Sequence, residues 1–266
     1  MKYVPKELTG NVNVSKQNPL KQLLNLAVSL FLIFASIYIL LGFLVDFAVR
    51  NLPDDVEEKM GSIFISNLKD GKKANDNNKL KQLLHDLLRE NQINKIYSLH
   101  LVDNKKVNAL ALPGGNIVLF SGLIEELEYE NELVYVLGHE IGHFKNRDHL
   151  RGLGRRLVLV VFSSAFFGAD SNVTNFLMNG LMTIEMQFSQ QQETAADLFA
   201  LKILNNKYGH VAGAISFIKK MDKKDKRNKF LAFLSTHPHP ENRIKAIEKE
   251  VKKNNYLLKD QIPINS

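Results

Sequence analysis

The spacing of hydrophobic positions changes several times along the chain, and each change marks a different kind of element. From Gln22 to Val45 there is no charge, and Leu, Ile, Val and Phe dominate. As a helix, these 24 residues would be about 36 Å long, enough to cross a hydrocarbon core with some tilt. The run is longer than the apolar part of a cleaved signal peptide, and no small-residue cleavage site follows Leu44. It also lacks the polar face expected of a core helix. A transmembrane helix is therefore predicted over residues 22–50, after a basic tail at 1–21.

Beyond Pro53 a period near 3.6 takes over. Val56, Met60, Ile63, Phe64 and Leu68 share one face of a helix that begins at Asp54. Leu80, Leu83, Leu84, Leu87 and Leu88 do the same on a helix ending at Glu90, with Asp70–Asn78 as the loop between. Alternation follows. Lys95–Val102 and Lys106–Leu112 read as a strand and its return around Asp103-Asn104, and Asn116–Phe120 as a third strand after Pro113-Gly114-Gly115. A short helix starts at Ser121.

Helical spacing returns at Leu133, Leu137, Ile141 and Phe144, with Asn131 expected as the cap and Glu132 in the first turn. Leu157–Phe167 is a second strongly apolar run, too short to cross a bilayer. It reads as a buried core helix, with a re-entrant or membrane-dipping element as the alternative. Thr174–Asn205 (one bent helix or two), Val211–Met221 and the amphipathic Pro240–Lys253 complete the pattern. The expected fold is α+β: a mainly helical domain over 54–255 with a small antiparallel sheet, one preceding transmembrane helix, and a tail at 256–266.

Charge orients the span. Lys2, Lys6, Lys16 and Lys21 precede it against Glu7 alone, while Asp54, Asp55, Glu57 and Glu58 follow it. The positive-inside rule then leaves the N-terminus in the cytoplasm and the rest of the chain outside, on the exterior or periplasmic side of a bacterial inner membrane. The net charge of +7 over 266 residues is modest. Lys219–Lys229 mixes both signs without interleaved aromatic residues, so no nucleic-acid partner is expected. The absence of cysteine excludes disulfides, cysteine-based zinc sites and a thiol nucleophile.

The chemistry concentrates in His139-Glu140-Ile-Gly-His143. On a helix the two histidines lie one turn apart on one face and can reach one metal ion, with Glu140 beside them but not needed as a ligand. A tetrahedral site then lacks one protein ligand. Glu193-Thr-Ala-Ala-Asp197 puts two carboxylates one turn apart among small residues that allow close helix packing. Glu193 could complete the coordination while Asp197 holds the outer N–H of a ligand histidine. An exposed acidic pair is the plain alternative. His85, His100, His149, His210 and His239 have no spacing that demands a role, and read as surface or core residues.

Taken together, His139-Glu-Ile-Gly-His143, Ser189-Gln-Gln-Gln-Glu193-Thr-Ala-Ala-Asp197 and Ser235-Thr-His237-Pro-His-Pro-Glu-Asn-Arg243 resemble the M48 family of zinc metallopeptidases. Val107-Asn108-Ala109-Leu-Ala-Leu-Pro113-Gly114-Gly115 resembles that family's strand before the active-site helix. The resemblance implies a zincin-like fold with one zinc ion per chain, held by His139, His143 and Glu193. It implies Glu140 as general base for a zinc-activated water, and Asp197 as the carboxylate that orients a ligand. Asn108 and Ala109 would lie on an edge strand that binds an extended peptide. His237 and Arg243 would face the active site, where either could stabilise an oxyanion. The expected function is a membrane-anchored endopeptidase acting on protein or peptide substrates in envelope quality control or processing, bound to the bilayer through 22–50. The alternative is a membrane-tethered chaperone-like or binding protein on the same fold with little turnover; it has no need of Glu140. Oligomeric state is left open.

Overall fold

The computed structural model describes residues 18–68, 78–182, 187–222 and 229–264. Most of the basic tail, most of the Asp70–Asn78 loop and most of Lys219–Lys229 lie outside the described residues. The chain divides into two units after Leu44. The first carries helix α1 (Pro19–Arg50) up to that point. Asn18 Oδ1 accepts from the Leu20 N–H at 3.0 Å, and Pro19 occupies the first turn, where no N–H is required. The apolar side chains of this stretch are exposed, Phe31 and Phe43 among them. Among the described residues, α1 is the one helix long and apolar enough to cross a membrane, which fits a membrane protein.

The second unit, Val45–Ser266, holds the remaining elements. They are α2 (Asp54–Leu68), α3 (Asn78–Glu90), β1 (Ser98–Val102), β2 (Ala109–Leu112), β3 (Asn116–Phe120), α4 (Ser121–Glu126), α5 (Glu130–Lys145), α6 (Asp148–Phe167), α7 (Asn172–Met182), α8 (Gln190–Tyr208), α9 (Ala212–Asp222), α10 (Leu231–Thr236) and α11 (Pro240–Lys253). The fold is mainly helical with one small sheet, as expected.

The sheet is mixed rather than antiparallel. Its order is β1-β3-β2, with β1 parallel to β3 and β2 antiparallel to it. The expected β1–β2 pairing does not form, because Gly114 and Gly115 take φ of +76° and +72° and fold β3 straight back onto β2. β1 is left to join β3 on its other edge.

The core centres on α5, which packs against α8, α9 and β2. Close approach to α8 depends on two glycines. A Cβ on Gly142 would lie 2.9 Å from Ala196 Cα, and one on Gly138 would lie 3.1 Å from Ala200 Cα. Asn131 does not cap α5. The helix begins a residue earlier, at Glu130, and Glu132 Oε2 accepts from the Glu128 and Tyr129 N–H groups at 2.9 and 3.3 Å. Asn131 instead accepts from the Ile262 N–H at 2.8 Å, tying the final segment of the chain to the start of α5.

Arg147, in the left-handed conformation (φ 54°), breaks α5 from α6. Its Nη1 donates to the carbonyls of Val49 and Leu52 at 2.7 Å each, satisfying carbonyls where α1 ends. α6 departs from the expected core helix. In Leu157–Phe167 only Val160 and Ser163 are buried, while Leu157, Val161, Phe166 and Phe167 are at least half exposed. Its partner over this stretch is α7, itself apolar, so the two helices cover each other on one side only.

Glu57 of α2 joins three segments. Its Oε1 accepts from His149 Nε2 at 3.2 Å and the Gly114 N–H at 3.3 Å, and Oε2 meets Lys95 Nζ at 3.1 Å. Burial raises its carboxyl, but His149 and Lys95 outweigh that and hold it down at about 2.

Two expectations follow. Gly142→Ala should cost about 1–3 kcal/mol by forcing α5 and α8 apart, whereas Gly180→Ala, in open space on α7, should be neutral or slightly stabilising. Thermal unfolding of the detergent-solubilised chain measures both. The stability contributed by the Glu57 charge should be complete above 4.5, its ordinary carboxyl value, and lost as pH falls from there through about 2. The gap in unfolding midpoint between wild type and Glu57→Gln should therefore be constant above that window and close within it.

Candidate metal centre

His139 and His143 stand one turn apart on the face of α5 turned to α8, and Glu193 sits in the first turn of α8. Ser189 and Gln192 set where α8 starts. The Ser189 N–H donates to Gln192 Oε1 at 2.8 Å, and the Gln192 N–H donates to Ser189 Oγ at 3.4 Å. His139 Nε2 lies 3.1 Å from His143 Nε2 and 3.5 Å from Glu193 Oε2, and His143 Nε2 lies 3.4 Å from Glu193 Oε1. His237, just after α10, adds a fourth donor: its Nδ1 is 3.2 Å from His139 Nε2 and 3.1 Å from Glu193 Oε1. Ligand atoms of all four side chains lie within 4.8 Å of one another, and all four residues are buried.

The outer nitrogens explain the inner ones. His139 Nδ1 meets Asp197 Oδ1 at 2.8 Å, and His143 Nδ1 meets Asp148 Oδ2 at 3.0 Å. Each imidazole donates outward to a carboxylate, which turns its Nε2 lone pair inward. Two such lone pairs at 3.1 Å repel unless a proton or a shared cation lies between them. Burial opposes charge on His143, but Asp148 and Glu193 outweigh it and push it up to about 9. Burial prevails at His139, which is lowered despite Glu193 and Asp197. A divalent ion replaces that proton with a better charge match, and a His, His, Glu donor set fits it.

Arg243, fully buried, anchors the acidic side. Its Nε and Nη2 donate to Asp197 Oδ2 and Oδ1 at 2.8 and 2.7 Å, and Nη1 meets Glu193 Oε2 at 2.8 Å. Burial raises both carboxyls, yet Arg243 outweighs it: Asp197 is held at about 2 and Glu193 well below the usual range. This places Arg243 as a positioning residue for Glu193 and Asp197; its fork is occupied by those two carboxylates.

Glu140 is fully buried, and neither carboxylate oxygen accepts a hydrogen bond; its Oε1 faces His237 Nε2 at 3.5 Å. An ionisable group left without a hydrogen bond in a protein interior is costly, and it marks the place where something else is meant to donate. Asn108 and Ala109 are fully buried at the start of β2, an edge of the sheet. Asn108 Oδ1 accepts from Thr236 Oγ1 at 3.2 Å, which links that edge to the residue before His237.

Four contributors escaped the sequence reading. Tyr135 donates to Asp197 Oδ1 at 2.6 Å, Asp148 holds His143, Gln192 Nε2 donates to Asp148 Oδ1 at 2.9 Å, and Phe188 stacks on His143 with centroids 3.9 Å apart. Tyr135 is one helical turn before His139, so spacing carried its signal. Asp148 required knowing that the chain doubles back at Arg147.

Comparison with known proteins identifies the family. The family model described as Peptidase family M48 matches residues 74–251. The chain is 31% identical over 157 residues to the mitochondrial metalloendopeptidase OMA1 of Schizosaccharomyces pombe, covering 57% of this chain and 46% of that protein. It is 25% identical over 209 residues to the beta-barrel assembly-enhancing protease of Escherichia coli K12, covering 71% and 42%. It therefore spans less than half the length of these curated relatives.

Replacing the outer carboxylates should loosen the centre without touching its donors. Asp148→Asn and Asp197→Asn are each expected to weaken divalent-metal binding about 10- to 100-fold, read by competition with a chelator. Asp197→Asn should also lower the unfolding midpoint, since Arg243 loses half of its charge pairing.

Proposed function

The chain belongs to peptidase family M48, and from that membership we propose that it is a membrane-anchored zinc endopeptidase whose catalytic unit lies outside the cytoplasm. The observation that carries this reading is the buried Glu140 carboxylate, which accepts no hydrogen bond, beside the converging donors of His139, His143 and Glu193. Those three residues would hold one zinc ion. Bound there, zinc would supply a Lewis acid that acidifies water and polarises a peptide carbonyl. Glu140 takes the proton of the attacking water at Oε1 or Oε2, and returns it to the leaving amine. Asp197 and Asp148 keep the two imidazoles facing inward while this happens. Arg243 holds Glu193 and Asp197 in their charged forms throughout.

His237 is the residue whose role changes most. Its Nδ1 points into the donor set and its Nε2 faces Glu140, so it can serve the metal or the oxyanion, but not both in one position. His139, Glu140, His143, Glu193 and His237 are each at most 1% exposed. A peptide laid along β2 therefore gains access only when His237, or the Phe188 ring beside it, moves. The Thr236–Asn108 hydrogen bond gives the incoming strand a direct handle on that motion.

The apolar α1 supports the anchor, and the charge bias around it supports the outward orientation. Work in envelope protein quality control or processing is consistent with this placement, and one relative is named for enhancing beta-barrel assembly. The competing reading, a binding protein on this fold, is disfavoured by Glu140, which a metal store or docking module does not require.

Casein hydrolysis and zinc content, measured on detergent-purified wild type and Glu140→Gln, test the proposal. Both proteins should bind about one zinc, and the variant should lose activity by about 100- to 10,000-fold. Equal zinc with no cleavage by wild type, even of unfolded substrates, would favour the binding protein.

A further inference from the structure

The α6–α7 hairpin has the polarity of a water-soluble helix pair turned inside out. Ser163 and Thr174 are buried between the helices, where Ser163 Oγ and Thr174 Oγ1 lie 2.8 Å apart and Thr174 Oγ1 also donates to the Gly168 carbonyl at 2.9 Å. The outer surfaces carry Leu157, Leu159, Val161, Phe166, Phe167, Val173, Phe176 and Met178, all exposed. Hydroxyls satisfied inside and large apolar groups outside are the arrangement a hydrocarbon solvent demands.

Two observations identify the occupant of that surface. α6 packs antiparallel on the end of α1: Arg147 meets the Val49 and Leu52 carbonyls, Arg151 and Arg155 pair with Asp46, and Gly154 faces Val45. Past that level α6 continues through eleven residues without a charge, about 16 Å, roughly half the thickness of a hydrocarbon core. The charge pattern is also graded. Arg151, Arg155 and Arg156 lie at the base, and between Leu157 and Met182 the sole charge is Asp170 in the turn. Cations at the level of the headgroups and apolar side chains beyond them match an anionic bilayer, not a protein surface.

We propose that the α6–α7 hairpin is a second membrane contact, embedding its apolar outer faces in one leaflet of the bilayer with Arg151, Arg155 and Arg156 at the phosphate level. Asp170 and the exposed side chains of Asn172, Asn175 and Asn179 are polar, and they stand against eight large apolar side chains that leave water. The helices are too short to span, so the element is monotopic. Because α6 starts at Asp148, which holds His143, the metal centre is thereby held at a short, fixed height above the lipid.

The chain has no native cysteine, so single labels report cleanly. Nitroxide labels at Val161→Cys, Phe166→Cys and Phe176→Cys, in the full chain reconstituted into phosphatidylcholine–phosphatidylglycerol vesicles, would be compared for collisions with oxygen and with a water-soluble nickel complex. Ile96→Cys, on an 84% exposed position, gives the aqueous reference, and Phe31→Cys the reference for the span. The hairpin labels should favour oxygen over nickel by several-fold, opposite to Ile96. Hairpin labels that match Ile96 overturn the proposal, and so do labels shielded from both reagents, which would mean a protein partner. The Phe31 label bears on the anchor alone, and zinc content and casein cleavage on the peptidase reading, so the three can fail separately.

Discussion

The structure depends on how closely α5 can approach α8. Gly138 and Gly142 on one helix and Ala196 and Ala200 on the other remove the side-chain bulk that would keep them apart. Only at that separation can Glu193 reach between His139 and His143, and Asp197 reach behind His139. The same residues that make the seam thin alternate in sequence with the residues that do the chemistry: Gly138 precedes His139, Gly142 precedes His143, and Ala196 precedes Asp197. Packing and chemistry are interleaved on one pair of helices, so neither can be altered without the other.

The buried charges are arranged to need one another. Glu193, Asp197 and Arg243 are each fully buried, and none would be tolerated alone. Arg243 is placed by the left-handed residue His239 and by Pro240, which start α11 at the angle that sends its fourth side chain inward. The late histidine–proline segment is thus as structural as it is chemical: His237 enters the donor set, and three residues later the chain begins the helix that supplies the cation.

Much of this was legible in the sequence. The helical period around His139 and His143, the acidic pair at Glu193 and Asp197, and the long apolar run each carry their meaning locally, because spacing alone decides which side chains share a face. The sheet order was not legible. Strand pairing depends on which edge is free once the glycine hairpin has closed, and alternation cannot report that. Leu157–Phe167 misled for a related reason: an apolar run states that water is avoided, but not whether protein or lipid replaces it. Asp148 and Arg147 were missed because a reversal at one left-handed residue has no periodic signature.

The junction of α1 with α6 bears on how the protein can be handled. Asp46 and Val49 belong to the apolar helix by sequence, and Leu52 follows it by two residues, but all three are bonded to Arg147, Arg151 and Arg155 of the catalytic unit. A soluble fragment cut at Pro53 would strip those arginines of most of their partners and uncover Gly154 and the seat of Val45. The natural border of the catalytic unit therefore lies inside the anchor helix, and the two cannot be separated at the membrane surface without damage to the segment that leads directly to His143.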